Sequence, residues 1–255
     1  MKNKKTGVNY WDFLVVMTSK ELRSRYRRTE FGFWWMIINP LVQMAVLGVI
    51  FSAFVKVDNY FLFIFSGLVI WQFFSVSLSK ATSSFVNNIS LIKKAVFPRE
   101  IIPVSIVLAN FIQLLVAEAI LIVFLTLTGL SSFGSLLWIL PALVWLLVVT
   151  LGISLLLSSL NVRYRDINFF TQALLVIWFY ATPILYPVSL LPPGLEWVLN
   201  LNPLSSIVEM GHLAFLGSGE LDLVRATFNL VVGGVLLTGG VVIFNKFKNM
   251  FVDWY

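Results

Sequence analysis

Six stretches without any Asp, Glu, Lys or Arg constrain the fold more than any other feature of this sequence. They are residues 31–55, 59–79, 101–117, 119–162, 167–195 and 226–245. A membrane-spanning helix needs roughly 20 mostly apolar residues, and most of these stretches reach that length. The chain is 59% hydrophobic and 12% charged, whereas soluble domains are about 45–50% apolar and about 25% charged. The sequence therefore predicts an integral membrane protein.

The longest charge-free stretch, residues 119–162, is too long for one membrane-spanning helix. It contains a turn-rich cluster at residues 129–134, where Gly and Ser favour a break. Dividing it there completes a set of six spans. These spans cover residues 31–55, 59–79, about 101–127, about 136–160, about 167–186 and 226–245. We therefore predict an all-α membrane protein with six transmembrane helices, built as one domain over residues 1–255.

Positive charge is distributed unequally between the two predicted sides of the membrane. Sixteen of the 18 Lys and Arg residues precede the first span, follow the last, or lie between spans two and three or four and five. Only Lys56 and Arg225 fall on the other side. Cytoplasmic loops carry an excess of Lys and Arg, so both termini are predicted to be cytoplasmic. This asymmetry accounts for the net charge of +6 without a nucleic-acid partner.

Three segments outside the spans have predicted roles of their own. A basic amphipathic helix over residues 10–30 is expected to lie in the cytoplasmic membrane interface. A second amphipathic helix is predicted on the cytoplasmic side over residues 81–98, because Phe85, Ile89, Ile92 and Val96 recur at helical spacing. The connection over residues 187–225 contains four prolines and apolar runs too short to cross, which predicts external re-entrant helices. The expected apolar face of the first helix consists of Trp11, Leu14, Val15, Leu22 and Tyr26.

The residues that most enzymes need are missing from the sequence. No Gly is followed by Lys, so the phosphate-binding GxxxxGK[ST] loop is absent. There is no Cys, and the single His212 has no metal-ligand neighbours at the usual spacing. We therefore expect no catalytic residue, no metal site and no cofactor on this chain.

Glu118 is the only ionisable residue well inside a predicted span. A charge at that depth costs about 2.5–3.5 kcal/mol on insertion scales, so Glu118 needs a partner or a proton. A structural hydrogen bond and a role in transport are both open interpretations.

Amide and aromatic side chains are frequent within the spans. They can hydrogen-bond and pack between helices, or they can line a polar pathway in which aromatic rings stack on the apolar faces of sugars. The predicted channel-lining residues are Gln43, Gln72, Trp71, Phe74, Gln172, Trp178, Tyr180 and Tyr186.

Three segments together resemble the permease subunits of type-2 ABC exporters, and among them most closely those that export lipid-linked polysaccharides such as O-antigen. The segments are LRSRYRRTEFGFWW (22–35) with Asn39 and Pro40 after it, LIKKAVFP (91–98) with Pro103 after it, and ATPILYP (181–187) with Asn202, Pro203 and Leu204 after it. Their order and spacing cover nearly the whole chain.

The resemblance implies a homodimer in the bacterial inner membrane, with each copy bound to a separate ATPase subunit that holds ATP and Mg. It implies that the basic N-terminal helix and the loop after span two contact this ATPase, and the short loop after span four is a further candidate. The corresponding positions are Asn87, Asn88, Arg163, Tyr164, Arg165 and Asp166. The implied cargo is an undecaprenyl-pyrophosphate-linked polysaccharide.

Arginines ahead of the first span are the predicted site for the carrier pyrophosphate, because Arg matches phosphate geometry bidentately. They are Arg23, Arg25, Arg27 and Arg28. The alternative is that they only set topology and hold anionic lipid. Two other functions stay open: a type-2 ABC permease for teichoic acid, a drug or a lipid, and a secondary transporter. The second fits less well, because a proton-coupled carrier usually needs several intramembrane ionisable groups and Glu118 is alone.

Overall fold

The fold is all-helical, as predicted. The computed structural model describes residues 9–26, 30, 32–95, 97–129, 135–192, 194–217 and 221–248. Within these residues the regular structure consists of eleven α-helices and three short 3₁₀ turns, with no β-strand. The helices are α1 (Tyr10–Tyr26), α2 (Trp35–Phe51), α3 (Tyr60–Thr82), α4 (Ser84–Asn87), α5 (Ile89–Lys94), α6 (Ile101–Thr128), α7 (Ile139–Arg163), α8 (Asp166–Ala181), α9 (Glu196–Leu201), α10 (Leu204–Leu216) and α11 (Leu223–Phe247).

In the part of the chain that the structure describes, four segments are long and apolar enough to cross a membrane: α3, α6, α11, and α7 together with the 3₁₀ turn before it. Each has 23 to 29 residues. The other two predicted spans correspond to α2 and α8, which have 17 and 16 residues. At 1.5 Å per residue these two helices reach about 24–26 Å, slightly less than the ~30 Å hydrocarbon core of a typical bilayer.

The centre of the bundle is α3, which packs against α2, α6, α7, α8 and α10. Its side chains are apolar on nearly every side, as expected for a helix with no solvent-facing stripe. Ile64, Leu68 and Phe74 are completely buried. Contacts with α3 therefore fix the positions of the neighbouring helices.

The closest helix pair is α7 with α11, because glycines let the two backbones approach. A Cβ on Gly152 would lie 2.5 Å from the Leu237 Cα, and a Cβ on Gly240 would collide with the Gly152 carbonyl oxygen. The two helices are thus held together by backbone contact as well as by side-chain packing.

The N-terminal helix α1 packs on the start of α6 and leaves part of its apolar surface exposed. Leu14 and Met17 are buried beside Ile101, whereas Trp11 and Val15 are 67% and 62% exposed. Of the predicted apolar face, Leu14 therefore contacts α6, whereas Trp11 and Val15 remain at the surface. That α1 lies in the membrane interface stays a prediction. Thr18, which interrupts the apolar pattern, is accommodated because its hydroxyl donates to the Leu14 carbonyl at 2.8 Å.

The predicted single helix over residues 81–98 consists of three pieces. The first residues extend α3 to Thr82, and the short helices α4 and α5 follow. Asn88 separates them with a non-helical backbone, and its side-chain amide donates to the Ser84 carbonyl at 2.9 Å. Asn side chains compete with helical hydrogen bonds in this way. Phe85 and Ile92 are buried as expected, and residue 96 lies outside the described residues.

Candidate translocation groove and coupling surface

A groove of about 630 Å³ runs between α2, α3 and α8. Four of the predicted channel residues line it: Gln43 from α2, Trp71 from α3, and Gln172 and Tyr180 from α8. These residues are far apart in sequence, and the packing of α2 and α8 on α3 brings them to one surface. The rest of the lining consists of Leu47, Ser75, Val76, Ser79, Lys80, Leu175, Val176 and Phe179.

The groove changes character along its length. Lys80 and Ser79 lie at one end, where the Gln172 side-chain amide donates to the Ser79 hydroxyl at 2.7 Å. Trp71 and Phe179 lie at the other end, with ring centroids 5.4 Å apart in an edge-on arrangement. The nine residues from Trp71 to Lys80 correspond to about 14 Å along the helix. The groove therefore suits a molecule with polar or anionic groups at one end and apolar faces at the other.

The other four predicted channel residues do not line this groove. Phe74 is fully buried, with its ring centroid 5.0 Å from that of Trp178. The Trp178 indole donates to the Asn202 side-chain oxygen at 2.8 Å. The Tyr186 hydroxyl donates to the Tyr180 carbonyl at 3.0 Å, and Gln72 is half-buried on α3.

The end of the bundle beyond Lys80 collects most of the described basic residues outside the helix cores. The Lys20 ammonium donates to the Asn88 side-chain oxygen at 3.3 Å, which joins α1 to the α4–α5 segment. The Arg99 guanidinium donates to the Lys248 carbonyl at 2.6 Å, which joins the start of α6 to the end of α11. We call this region, defined by α1, α4, α5, the α7–α8 loop and the end of α11, the basic end.

The N-terminal helix and the two loops that the resemblance relates to the ATPase all belong to the basic end. Phe85 of α4, Val162 of α7 and Phe244 of α11 belong to one buried apolar cluster, so α4 and the end of α7 share a support. Asn87 is exposed and Asn88 is half-buried. The exposed residues of the α7–α8 loop are Arg163, Tyr164, Arg165 and Asp166, and the Arg163 guanidinium lies 5.1 Å from the centroid of the Tyr164 ring.

The predicted pyrophosphate arginines are only partly described. Arg23 is exposed on α1. Arg25 belongs to the same helix, but its side chain lies outside the described residues, as do Arg27 and Arg28. The lining of the groove, as described, includes no residue of α1.

Two buried asparagines that were not predicted as site residues hold the opposite end together. Asn202 accepts from the Trp178 indole and the Leu204 N–H, and donates to the Ala181 carbonyl and the Thr182 hydroxyl. It ties the α9–α10 hairpin to the end of α8. The only advance signal was its place in an Asn-Pro-Leu segment.

Asn229 ties the same hairpin to α11. It accepts from the Ser206 N–H and hydroxyl, at 3.2 and 2.8 Å, and donates to the carbonyls of Leu199 and Asn200. Its presence within the charge-free stretch 226–245 was a signal that the sequence analysis did not use. All four hydrogen-bonding positions of this buried amide are satisfied.

An ion-pair network lies beside these amides. The Arg225 guanidinium contacts the Glu209 carboxylate at 2.5 Å and the Asp222 carboxylate at 3.1 Å. Asp222 also caps α11 by accepting from the backbone N–H groups of Val224 and Arg225. Hydrogen bonds from the Arg225 backbone and then from its guanidinium lower the pKa of Asp222 below its ordinary value. The network joins α10 to the start of α11.

Glu118 is buried in α6, beside a void of about 10 Å³. Among the described residues, its Oε2 atom has no hydrogen-bond partner. The other residues that line the void are apolar and come from α3, α7 and α10. His212 of α10 lies flat against Phe63, with ring centroids 3.8 Å apart.

Comparison with known proteins places this arrangement in a family. Residues 13–216 match the ABC-2 type transporter family. The chain is 35% identical to an O-antigen export system permease protein of Klebsiella pneumoniae, over 95% of each chain. It is 28% identical to an O-antigen export system permease protein of Myxococcus xanthus, over 96% of this chain and 95% of the relative. It is 22% identical to a capsule polysaccharide export inner-membrane protein of Neisseria meningitidis, over 94% of this chain and 95% of the relative.

These similarities extend over nearly the whole length of the relatives, and the α2–α3–α8 groove lies within the residues that match the family. The resemblance predicted from three short segments is thereby confirmed. The chain belongs to the ABC-2 type transporter family of membrane permeases.

Proposed function

We propose that this protein is the membrane subunit of an ATP-driven exporter that moves a lipid-linked polysaccharide across the bacterial inner membrane. The observation that carries the proposal is the 35% identity, over 95% of the chain, to a permease named for O-antigen export. The groove agrees with this cargo, because it combines amides and hydroxyls with the aromatic faces of Trp71, Phe179 and Tyr180. Amides can hydrogen-bond sugar hydroxyls, and aromatic rings can cover their apolar faces.

The proposed topology has six spans with both termini in the cytoplasm. In it, α2 and α8 cross as short spans, and the 3₁₀ turn Gly32–Trp34 extends α2 at its start. A membrane accommodates short spans by local thinning at a modest cost. The hairpin of α9 and α10 enters the outer leaflet and returns, where α3, α7 and α11 cover its backbone, as irregular backbone in a membrane requires. The basic end then faces the cytoplasm, in agreement with the positive-inside rule.

ATP and Mg are proposed to bind a separate ATPase subunit that docks on the basic end. Asn87 and the α7–α8 loop supply exposed contacts there, and the half-buried Asn88 lies beside them. The Lys20–Asn88 hydrogen bond joins α1 to the same surface. A displacement of α4 and α5 by the ATPase would therefore be transmitted to α1. The buried cluster around Phe85 would transmit it to α7 and α11.

A homodimer is proposed because the groove is open on one side and carries polar groups at that open side. Gln43, Gln172 and Lys80 are exposed at its surface, and polar groups left facing lipid are costly. A second copy that closed the two grooves onto each other would remove this cost and enclose a polar pathway. ATP binding would then open the pathway, and the polymer would leave past the α9–α10 hairpins.

Deletion of the gene tests the export function in cells. Lipid extracts of the deletion strain are analysed by mass spectrometry, and surface polysaccharide is measured in parallel. The account predicts accumulation of a polysaccharide on its lipid carrier and loss of the surface polymer. An ATPase subunit inactivated in its nucleotide site should give the same result. Normal surface polysaccharide in the deletion strain would contradict the proposal.

A further inference from the structure

A second, apolar cavity of about 550 Å³ lies between α2, α3 and α6. It borders α2 on its α6 side, whereas the groove borders α2 on its α8 side, and the two linings share no residue. Among the described residues, Asn59 is the one polar side chain in the lining. The lining consists of Ile37, Pro40, Leu41, Met44, Asn59, Phe61, Leu62, Phe65, Ala117, Ile120, Leu121, Phe124 and Leu125.

We infer that this cavity binds one acyl chain of a phosphatidylethanolamine molecule from the outer leaflet, with the headgroup at the connection between α2 and α3. The inference goes beyond the proposed function. It rests on the proposed topology, which places this connection, residues 52–59, on the external side.

The lining decides what can fill the cavity. Water would find almost no polar partners there, and an empty space would leave the lining without dispersion contacts. The surrounding bilayer supplies hydrocarbon chains, and the cavity is open to them because Leu41, Phe61 and Phe124 are 40%, 45% and 55% exposed. The proposed second copy covers the groove on the α8 side of α2, so the α6 side is left to lipid.

The length of the cavity matches one leaflet. The Phe61 ring, which belongs to the lining, lies against Gly48 of α2. Ile37 lines the other end of the cavity and precedes Gly48 by eleven residues, which corresponds to about 16 Å along the helix. One leaflet is half of the ~30 Å hydrocarbon core. The cavity therefore accommodates an acyl chain that enters at the external end of α3, whereas a polyprenyl carrier chain is much longer and would extend beyond it.

The connection at the external end of the cavity carries charges that complement a zwitterionic headgroup. Val55 and Val57 pack against the core, and Lys56 and Asp58 between and after them are exposed. Neither charged side chain forms an ion pair with any residue that the structure describes. Lys56 precedes the lining residue Asn59 by three residues, at most about 11 Å of chain. The phosphate of phosphatidylethanolamine can therefore meet Lys56, and its ammonium can meet Asp58.

Photochemical labelling of the unaltered protein tests the site. The full chain is placed in phosphatidylcholine nanodiscs with a trace of phosphatidylethanolamine that carries a diazirine within one acyl chain. After irradiation, peptides are mapped by mass spectrometry. We expect labels to be concentrated in residues 37–44 and 117–125. Val231 and Val235 of α11, which are 60% and 63% exposed and outside the lining, should be labelled weakly. Equal labelling of α11, or an unlabelled lining because a second copy covers it, would overturn the inference.

Competition separates the possible lipids. Unlabelled phosphatidylethanolamine should reduce the labelling of the lining, whereas phosphatidylglycerol and undecaprenyl phosphate at equal concentration should not. Phosphatidylglycerol has no ammonium for Asp58, and the polyprenyl chain exceeds the cavity. Equal competition by either lipid would overturn the assignment to phosphatidylethanolamine.

Substitutions test the two ends of the proposed ligand. Ala117→Phe should lower labelling of the lining roughly tenfold, because the new ring fills the space in which the chain makes its dispersion contacts. Its control is Ala45→Phe, at an exposed position of α2 outside both linings. Lys56→Gln should lower labelling roughly fivefold, as expected for one Lys beside lipid phosphates. Its control is Lys246→Gln, at an exposed position of the basic end.

Unchanged labelling in Lys56→Gln, or equal loss in either control, would overturn the inference. The labelling map of the unaltered protein decides the question if Ala117→Phe fails to fold. A negative result would leave the gene-deletion phenotype intact, so it is distinguishable from failure of the export function.

Discussion

At the scale of single residues, amide side chains have different roles in the groove and in the contacts between helices. Gln172 and Tyr180 present their side chains to the groove. Asn202 and Asn229 are buried, with every hydrogen-bonding position occupied. An amide within an apolar stretch thus either lines the groove or ties helices together, and the helices that pack around it decide which.

Tyr180→Ala should slow export without reducing the amount of protein in the membrane. Tyr180 is 62% exposed and lines the groove, so its removal takes away an aromatic face for sugars and few buried contacts. Phe228→Ala is the matched control, because this aromatic residue of α11 is 49% exposed and is not part of the groove lining. Surface polysaccharide and protein level are measured together. Equal export by both variants would contradict a role of Tyr180 in the pathway.

At the scale of secondary-structure elements, the bundle has a rigid side and a loosely packed side. On one side, α7 and α11 touch through glycine backbones. On the other, α2 is flanked by the polar groove and by an apolar cavity of about 550 Å³ that it shares with α3 and α6. It contacts α3 at Gly48, where an added Cβ would lie 2.6 Å from the Phe61 ring. Open space therefore borders α2 on both sides of its contact with α3.

Neighbouring glycines of α11 offer a matched test of the rigid side. Gly240→Ala should lower the melting temperature of the purified complex, because the new Cβ collides with the Gly152 carbonyl oxygen. Gly239→Ala should be neutral or stabilising, since nothing lies within 4 Å of its Cβ position and Ala favours a helix over Gly by about 1 kcal/mol. Equal melting temperatures for the two variants would contradict the backbone contact.

The α9–α10 hairpin depends on its amide ties. Asn229→Leu removes the partner of the Ser206 N–H and of two carbonyls, and each unsatisfied buried group costs about 1–3 kcal/mol. The complex should therefore melt at a clearly lower temperature. Asn245→Leu, an exposed change on the same helix, is the control and should melt like the wild type. A stable Asn229→Leu complex would show that the hairpin has another support.

At the scale of the whole molecule, the fold divides into a basic end, a groove between α2, α3 and α8, and a hairpin at the far end. The sequence predicts the all-helical class and the long helices α3, α6 and α11, because membrane hydrophobicity is a local property of each stretch. It does not predict which residues of α1 are buried, because that depends on the tertiary contact with Ile101. It also does not predict the break between α4 and α5, because that depends on the side-chain hydrogen bond of Asn88. In the sequence, Lys80 contributes only to the charge asymmetry that predicts topology. Its place in the groove is not predicted, because it depends on how α2 and α8 pack.

Topology is testable because the chain has no Cys, so each introduced thiol is the only one present. Two substitutions introduce the thiol at exposed positions: Asn87→Cys at the basic end and Ser52→Cys after α2. A membrane-impermeant maleimide should label Ser52→Cys in intact spheroplasts, and Asn87→Cys in inverted vesicles only. The reverse pattern would contradict the proposed orientation.

Transport in a purified system tests the central claim most directly. Proteoliposomes are prepared with this chain and its ATPase subunit, and a lipid-linked polysaccharide is supplied in the outer leaflet. Added ATP reaches only the complexes whose ATPase subunit faces the external solution, which is the orientation found in inverted membrane vesicles. The account predicts that ATP makes the glycan resistant to an added glycosidase, and that a non-hydrolysable ATP analogue does not. A glycan that becomes protected without ATP, or that stays fully accessible with ATP and both subunits present, would contradict it.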